Sequence, residues 1–122
     1  MNQKYEITDI VHPQYPWLHR IRALRDVRED VHAGDLGGFV QSEENLSQEG
    51  QCWVANNAVA AEESYISGDA IMWDYSCARG CSVISGKSRI GGEAIIEDHA
   101  IVTSGYVHGH VHISGNAKIF AN

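Results

Sequence analysis

The sequence predicts an all-β protein: a left-handed parallel β-helix of about four to five coils, with a small β-rich module at its N-terminus. Three observations carry this reading. From Gly37 onward the chain repeats every six residues. Within a unit the second residue is small and the fourth aliphatic. Glycine, aspartate and asparagine gather where units meet.

The phase is clearest from Gln51, where consecutive units read QCWVAN, NAVAAE, ESYISG, DAIMWD, YSCARG, CSVISG, KSRIGG and EAIIED. Their second positions are Cys52, Ala58, Ser64, Ala70, Ser76, Ser82, Ser88 and Ala94. Most fourth positions are large and apolar: Val54, Ile66, Met72, Ile84, Ile90 and Ile96, with Ala60 and Ala78 as smaller members. A period of six cannot be an α-helical stripe, which needs 3.6. Residues two apart share one face of a strand, so the small and aliphatic positions point inward and the residue between them points out. Corners such as Gly68-Asp69, Gly80, Gly86, Gly92 and Gly115-Asn116 supply residues that tolerate unusual backbone angles. Earlier units, GGFVQS and EENLSQ, are offset by a two-residue insertion at Glu49-Gly50. Later, HAIVT is one residue short before SGYVHG, HVHISG and NAKIFA resume the phase.

Residues 1–36 do not repeat and are expected to form a capping module, with 37–122 as the β-helix. KYEITDIV alternates like a strand, and HPQYP reads as an extended turn because proline disfavours helix in its predecessor. In WLHRIRALRDV, Arg20 and Arg22 alternate with Ile21 and Ala23, which favours strand over the helix that Leu18, Ile21 and Leu24 would allow. A β-helix leaves unpaired backbone at its ends, and this module is placed to cover the first. At the other end NAKIFAN stops within a repeat, so an open edge is expected there.

The aliphatic residue followed four later by a small one (Ile66/Ala70, Met72/Ser76, Ile84/Ser88, Ile90/Ala94, Ile96/Ala100) resembles the hexapeptide-repeat left-handed β-helices, in which three units close a coil. LHRIRALRDV, followed by GDLGGFVQSEENLSQEGQCWV, resembles the start of YdcK-like β-helix proteins of enterobacteria and their phages. That resemblance implies a cytoplasmic repeat protein of phage or prophage origin. The best-known enzymes of this fold are acyltransferases that use acyl-coenzyme A, but a shared fold does not fix a function.

Nine basic against sixteen acidic side chains give a net charge of -7. Four of the basic and ten of the acidic residues lie from Gly37 onward. This balance argues against direct capture of a nucleic-acid backbone. Mimicry of nucleic acid would need a continuous double row of acids, whereas Glu62, Glu63, Asp69, Asp74, Glu93 and Asp98 fall mostly at corners. Cys52, Cys77 and Cys81 are odd in number, which excludes a complete disulfide framework and fits a reducing cytoplasm. No apolar run approaches the roughly twenty residues of a membrane span, and MNQKYEITDI has no signal-peptide core.

Catalytic groups are sparse. An acyltransferase needs a base for its acceptor, and His99, at a corner beside Asp98, is the best candidate. Yet no loop is extruded from the coils between Gln51 and Ala100, and no basic cluster awaits the coenzyme phosphates. His108, His110 and His112 are a weak metal-ligand candidate, since Gly109 and His110 straddle a corner and no acid adjoins them in sequence. His12, His19 and His32 are scattered, Cys77 and Cys81 do not form a CxxC pair, and GDLGG lacks the lysine of a phosphate loop. No cofactor is expected.

The outward positions are more informative. Every third unit stacks on the same face, so one face presents Tyr65, Val83 and Ile101, flanked by Ser67, Ser85 and Thr103. A second carries Phe39, Val59, Cys77 and Ile95; a third has Trp53, Ile71 and Tyr106, with Trp73 nearby. Contiguous exposed apolar area marks a partner surface. The sequence therefore points to a non-enzymatic scaffold that forms homo-oligomers and binds a host protein or complex, with inhibition of a defence or regulatory function as its expected role. Its expected anchors are Trp53, Tyr65, Trp73, Val83, Ile101 and Tyr106. The runner-up is a coenzyme-A-dependent acyltransferase with His99 as base.

Overall fold

The computed structural model of the protein describes residues 3–120. It is a left-handed parallel β-helix of about 4 turns. Strands β1 (Tyr5–Val11), β2 (His19–Ala23) and β3 (Leu36–Val40) form an antiparallel meander. From Trp53 onward the chain runs in two-residue strands, and the coils stack them into three parallel sheets. One sheet contains the strands at Trp53, Ile71, Arg89 and Tyr106, and a second those at Tyr65, Val83, Ile101 and Lys118. The third holds β3 and the strands at Val59, Cys77, Ile95 and His112, with β2 and β1 added to its outer edge.

The irregularities follow the sequence. Phe39 pairs with Val59, two residues further along than other partners, which absorbs the insertion at Glu49-Gly50. The short HAIVT unit brings Arg89 opposite Tyr106, one residue less than the usual spacing. One unit departs from the expected pattern. EENLSQ makes a single 3-10 turn over Glu43–Asn45, because Ser42 caps it and Asn45 Oδ1 accepts from the Gln41 and Ser42 N–H groups. Leu46 still bridges to Ile66 and points inward. The open edge expected from NAKIFAN falls partly on Ala121 and Asn122, which lie outside the described residues.

Second and fourth positions fill the interior as predicted. Val54, Met72, Ile90 and Val107 form one column, and Ile66, Ile84, Val102 and Ile119 another. Burying each large aliphatic side chain contributes about 1.5–3 kcal/mol. The corners form columns too, and their residues adopt left-handed backbone conformations. Gly68 is in this conformation (φ 67°), and a Cβ there would lie 2.9 Å from the Gly86 nitrogen, so nothing larger fits. Asn56, Asp74 and Asp98 take the same conformation with side chains, at φ of 55°, 58° and 60°. Such angles cost roughly 1–3 kcal/mol. The side chains offset that cost by bonding the next coil: Asn56 Oδ1 accepts from Asp74 N at 3.1 Å, Asp74 Oδ2 from Gly92 N at 3.2 Å, and Asp98 Oδ2 from Gly115 N at 2.9 Å.

The N-terminal module completes the hydrogen bonding of the first coil. Along the helix, carbonyls of the second, fourth and sixth positions accept from the coil beneath: Ala70, Met72 and Asp74 from Trp53, Ala55 and Asn57. Equivalent first-coil carbonyls have no coil beneath them, and side chains from the module take that place. Lys4 Nζ donates to Cys52 O at 2.8 Å and Glu49 O at 3.1 Å; Tyr5 Oη donates to Leu46 O at 2.6 Å; Arg20 donates to Asn56 O at 2.8 Å. Lys4 and Tyr5 are fully buried in doing so. Burial lowers the Lys4 pKa from its ordinary 10.5 and raises that of Tyr5 above its ordinary 10.0.

Two predictions follow from these buried polar groups. The Ser88 hydroxyl donates to Ser85 O (2.6 Å) and lies 3.2 Å from Val102 O, whereas that of Ser82 has no partner among the described residues. Ser82→Ala should stabilise the fold and Ser88→Ala destabilise it, each by about 1 kcal/mol in denaturant titrations. Equal effects in the two would contradict this assignment. The second concerns pH. Between the lowered Lys4 value and 10.5 the unfolded chain binds the extra proton, so stability rises with pH across that window. Above 10.0 the unfolded chain loses the Tyr5 proton that the folded chain retains, so the Tyr5 contribution lowers stability, and past 10.5 it acts alone. Lys4→Met should flatten the rise and Tyr5→Phe the fall; unchanged pH slopes would exclude both groups as the source.

Candidate binding surfaces

Outward positions meet three different environments. On the sheet of Tyr65, Val83, Ile101 and Lys118, Tyr65 pairs in register with Val83, and Val83 with Ile101. Tyr65 is 42% exposed, and Val83 and Ile101 are half-buried. Ser67, Ser85 and Thr103, also half-buried, run beside them, and Lys118 closes the strip. Adjacent strands lie about 4.8 Å apart. The result is a short, uncharged apolar row on a flat face.

The sheet of Trp53, Ile71, Arg89 and Tyr106 corrects an expectation. Trp53 is not an outward anchor: it is 1% exposed, because the N-terminal module lies over it. Tyr5 meets it edge-on at 6.4 Å, and Gly37 permits the approach, since a Cβ there would lie 2.8 Å from the indole. Further along, the Trp73 indole lies on Gly91, where a Cβ would come within 2.5 Å of the ring. Trp73 stacks on Tyr106 (5.8 Å, 11° between planes), and Tyr106 on His108 (5.4 Å). Tyr106 is 64% exposed. A groove of about 530 Å³ runs beside this stack, lined by Ile71, Trp73, Arg89, Leu36, Asp30 and Asp35. Arg89 sits in register between Ile71 and Tyr106, so this face is less apolar than the aromatic residues alone imply.

On the third sheet the loop between β1 and β2 folds over the outside of the coil. Leu18 packs on Phe39 and Ala61, leaving Phe39 buried rather than exposed. His12 meets the Phe39 ring at 4.6 Å and Tyr15 at 5.0 Å, and the Arg20 guanidinium lies 4.4 Å from the Phe39 centroid. Between loop and sheet is a groove of about 440 Å³, floored by Val59, Cys77 and Ile95 and walled by Tyr15, Trp17 and Tyr75. Sequence reasoning placed the floor on one outward face but missed the walls that make it a groove. Their only signal was the aromatic content of HPQYPWL, and the contact that makes the groove is non-local.

The histidines do not converge. His108 stacks on Tyr106, His110 Nε2 lies 3.3 Å from Glu93 Oε1, and His112 Nε2 contacts Glu97 Oε2. Their acidic partners come from the preceding coil, which adjacency in sequence could not reveal. Among the described residues no group of three or more His, Cys, Asp or Glu side chains could hold a metal ion. His99 stands at an exposed corner, outside the grooves described above. The Cys77 thiol is held above its ordinary pKa by burial, and Cys81 donates to Glu63 Oε2. Glu97 is held below the usual carboxylate range by its bonds to Arg79 and then His112. No helix among the described residues is long and apolar enough to cross a membrane.

Gly91 gives this surface a direct test. Its backbone needs no left-handed angle, so Gly91→Ala should leave the coil wound but push the Trp73 indole off its seat, at a cost of about 1–3 kcal/mol. A changed near-ultraviolet dichroism of the Trp73–Tyr106 stack is expected, and an unaltered spectrum would contradict the packing described. Set against protein-family models and against curated proteins, the chain matches none.

Proposed function

We propose that the protein is a non-enzymatic, self-associating scaffold of the YdcK-like hexapeptide-repeat kind, encoded by a phage or prophage. In this reading it works in the host cytoplasm, where its three cysteines stay free, and inhibits a host defence or regulatory complex by binding it. The observation that carries self-association is the row of Tyr65, Val83 and Ile101, in register and bordered by hydroxyl side chains in place of charges. A second copy approaching this row meets a charge only at its end, at Lys118, and water leaves a surface suited to close packing. Trp73 and Tyr106 supply a separate aromatic surface for the host protein. The solitary placement of His99 supports a binding role over acyl transfer, because a general base works beside a cleft that positions its substrate.

Val83→Arg tests the row. In a symmetric interface the substitution sets like charges against each other, and the residue is outward, so the coil itself is spared. Light scattering should report an oligomer for the unmodified protein and a monomer for the variant, with the melting temperature of the isolated coil retained. A monomeric unmodified protein would refute self-association, and an unchanged oligomer in the variant would remove this row from the interface.

A further inference from the structure

We infer that the groove between the β1–β2 loop and the third sheet is a binding site for a small organic cation, a protonated amine or quaternary ammonium compound with an apolar body. Three features of the site lead there. Its floor is apolar, because Val59, Cys77 and Ile95 stack in register on successive coils. Its walls are aromatic and open: Trp17 is 55% and Tyr75 67% exposed, and Tyr15 lies 5.6 Å from Trp17. The faces of such rings carry negative potential and attract cations. Its rim is acidic. Glu62 and Glu93 line the groove, and the one guanidinium there, Arg79, is already bound to Glu97 at 2.8 Å.

The site is also built before any ligand arrives. His12 N–H donates to Leu18 O and Leu18 N–H to Tyr15 O, both at 2.9 Å, which closes the loop on itself. Leu18 then anchors it against Phe39. The carboxylates are held as well: Glu62 Oε1 accepts from Gly80 N at 2.7 Å, and Glu93 Oε1 lies 3.3 Å from His110 Nε2. A volume of about 440 Å³ lies within the usual range of small-molecule pockets. A neutral apolar guest would fill the floor but leave the carboxylates unused. An anion would meet two carboxylates and a neutralised arginine. Charge and shape together select the cation.

Choline and its uncharged carbon isostere, 3,3-dimethylbutan-1-ol, separate charge from shape. With the whole chain, choline should produce a saturable change in Trp17 fluorescence, and the isostere should bind roughly tenfold more weakly. Trp17→Ala removes a wall and Glu93→Gln a rim charge; each should weaken choline binding by calorimetry while leaving the melting temperature within a few degrees. Equal affinity for choline and the isostere would overturn the assignment of a cation. Absence of saturable binding to either, or full binding in Trp17→Ala, would overturn the site.

Discussion

The molecule depends on the direction of its backbone hydrogen bonds. Outside the strand cores, each coil donates its N–H groups to carbonyls of the coil that follows, as in Asn57 N–H to Asp74 O and Asp69 N–H to Gly86 O. Such a stack always begins with a ring of unused acceptors. Buried carbonyls without donors are costly, so the first coil requires a donor-rich lid. Lys4, Tyr5, Arg20 and Arg28 provide it, and Arg28 adds a bond to Gln51 O at 2.8 Å. The chemistry of the lid follows from the polarity of the stack: a face of acceptors is best met by ammonium, guanidinium and hydroxyl groups. The two-residue insertion fits the same account, because Glu49 and Gly50 bring extra carbonyls within reach of the Lys4 ammonium.

Direct stacking also explains where the acids went. An αL corner repeated coil after coil admits glycine freely, and otherwise favours a residue that can bond across to the next coil. Asn56, Asp74 and Asp98 do so, as does Glu62 through Gly80. Glu97 is tied to Arg79 and His112, and Glu63 accepts from Cys81. Much of the negative charge of the coil therefore serves the coil. Net charge consequently says less about partners than the composition suggests.

The interior was legible because a two-residue alternation inside a six-residue period leaves one consistent phase, and every buried column obeys it. Face membership was legible for the same reason: Tyr65, Val83 and Ile101 share a sheet because their spacing requires it. What lies over a face was not legible. Trp53 and Phe39 occupy outward positions identical in pattern to Tyr65, yet both are buried by the N-terminal module, through contacts that span the chain. Trp73 shows the intermediate case. Its seat is Gly91, which reads in the sequence as one more corner glycine but is needed for the space above it. The acid partners of His110 and His112 escaped for a related reason, since neighbours in a solenoid lie a full coil away.

One consequence concerns how such a scaffold acquires a binding site. The coil itself offers only flat faces and ridged corners, and flat faces bind other large surfaces better than small molecules. Concavity requires something laid across the coil. Here the module that satisfies the first-coil carbonyls also extends a loop down one face, and that overhang turns a flat apolar ladder into a groove with aromatic walls. Structural need and site formation thus share one element. The row at Tyr65, Val83 and Ile101 lies on a sheet without such an overhang and keeps the flatness suited to a second protein surface.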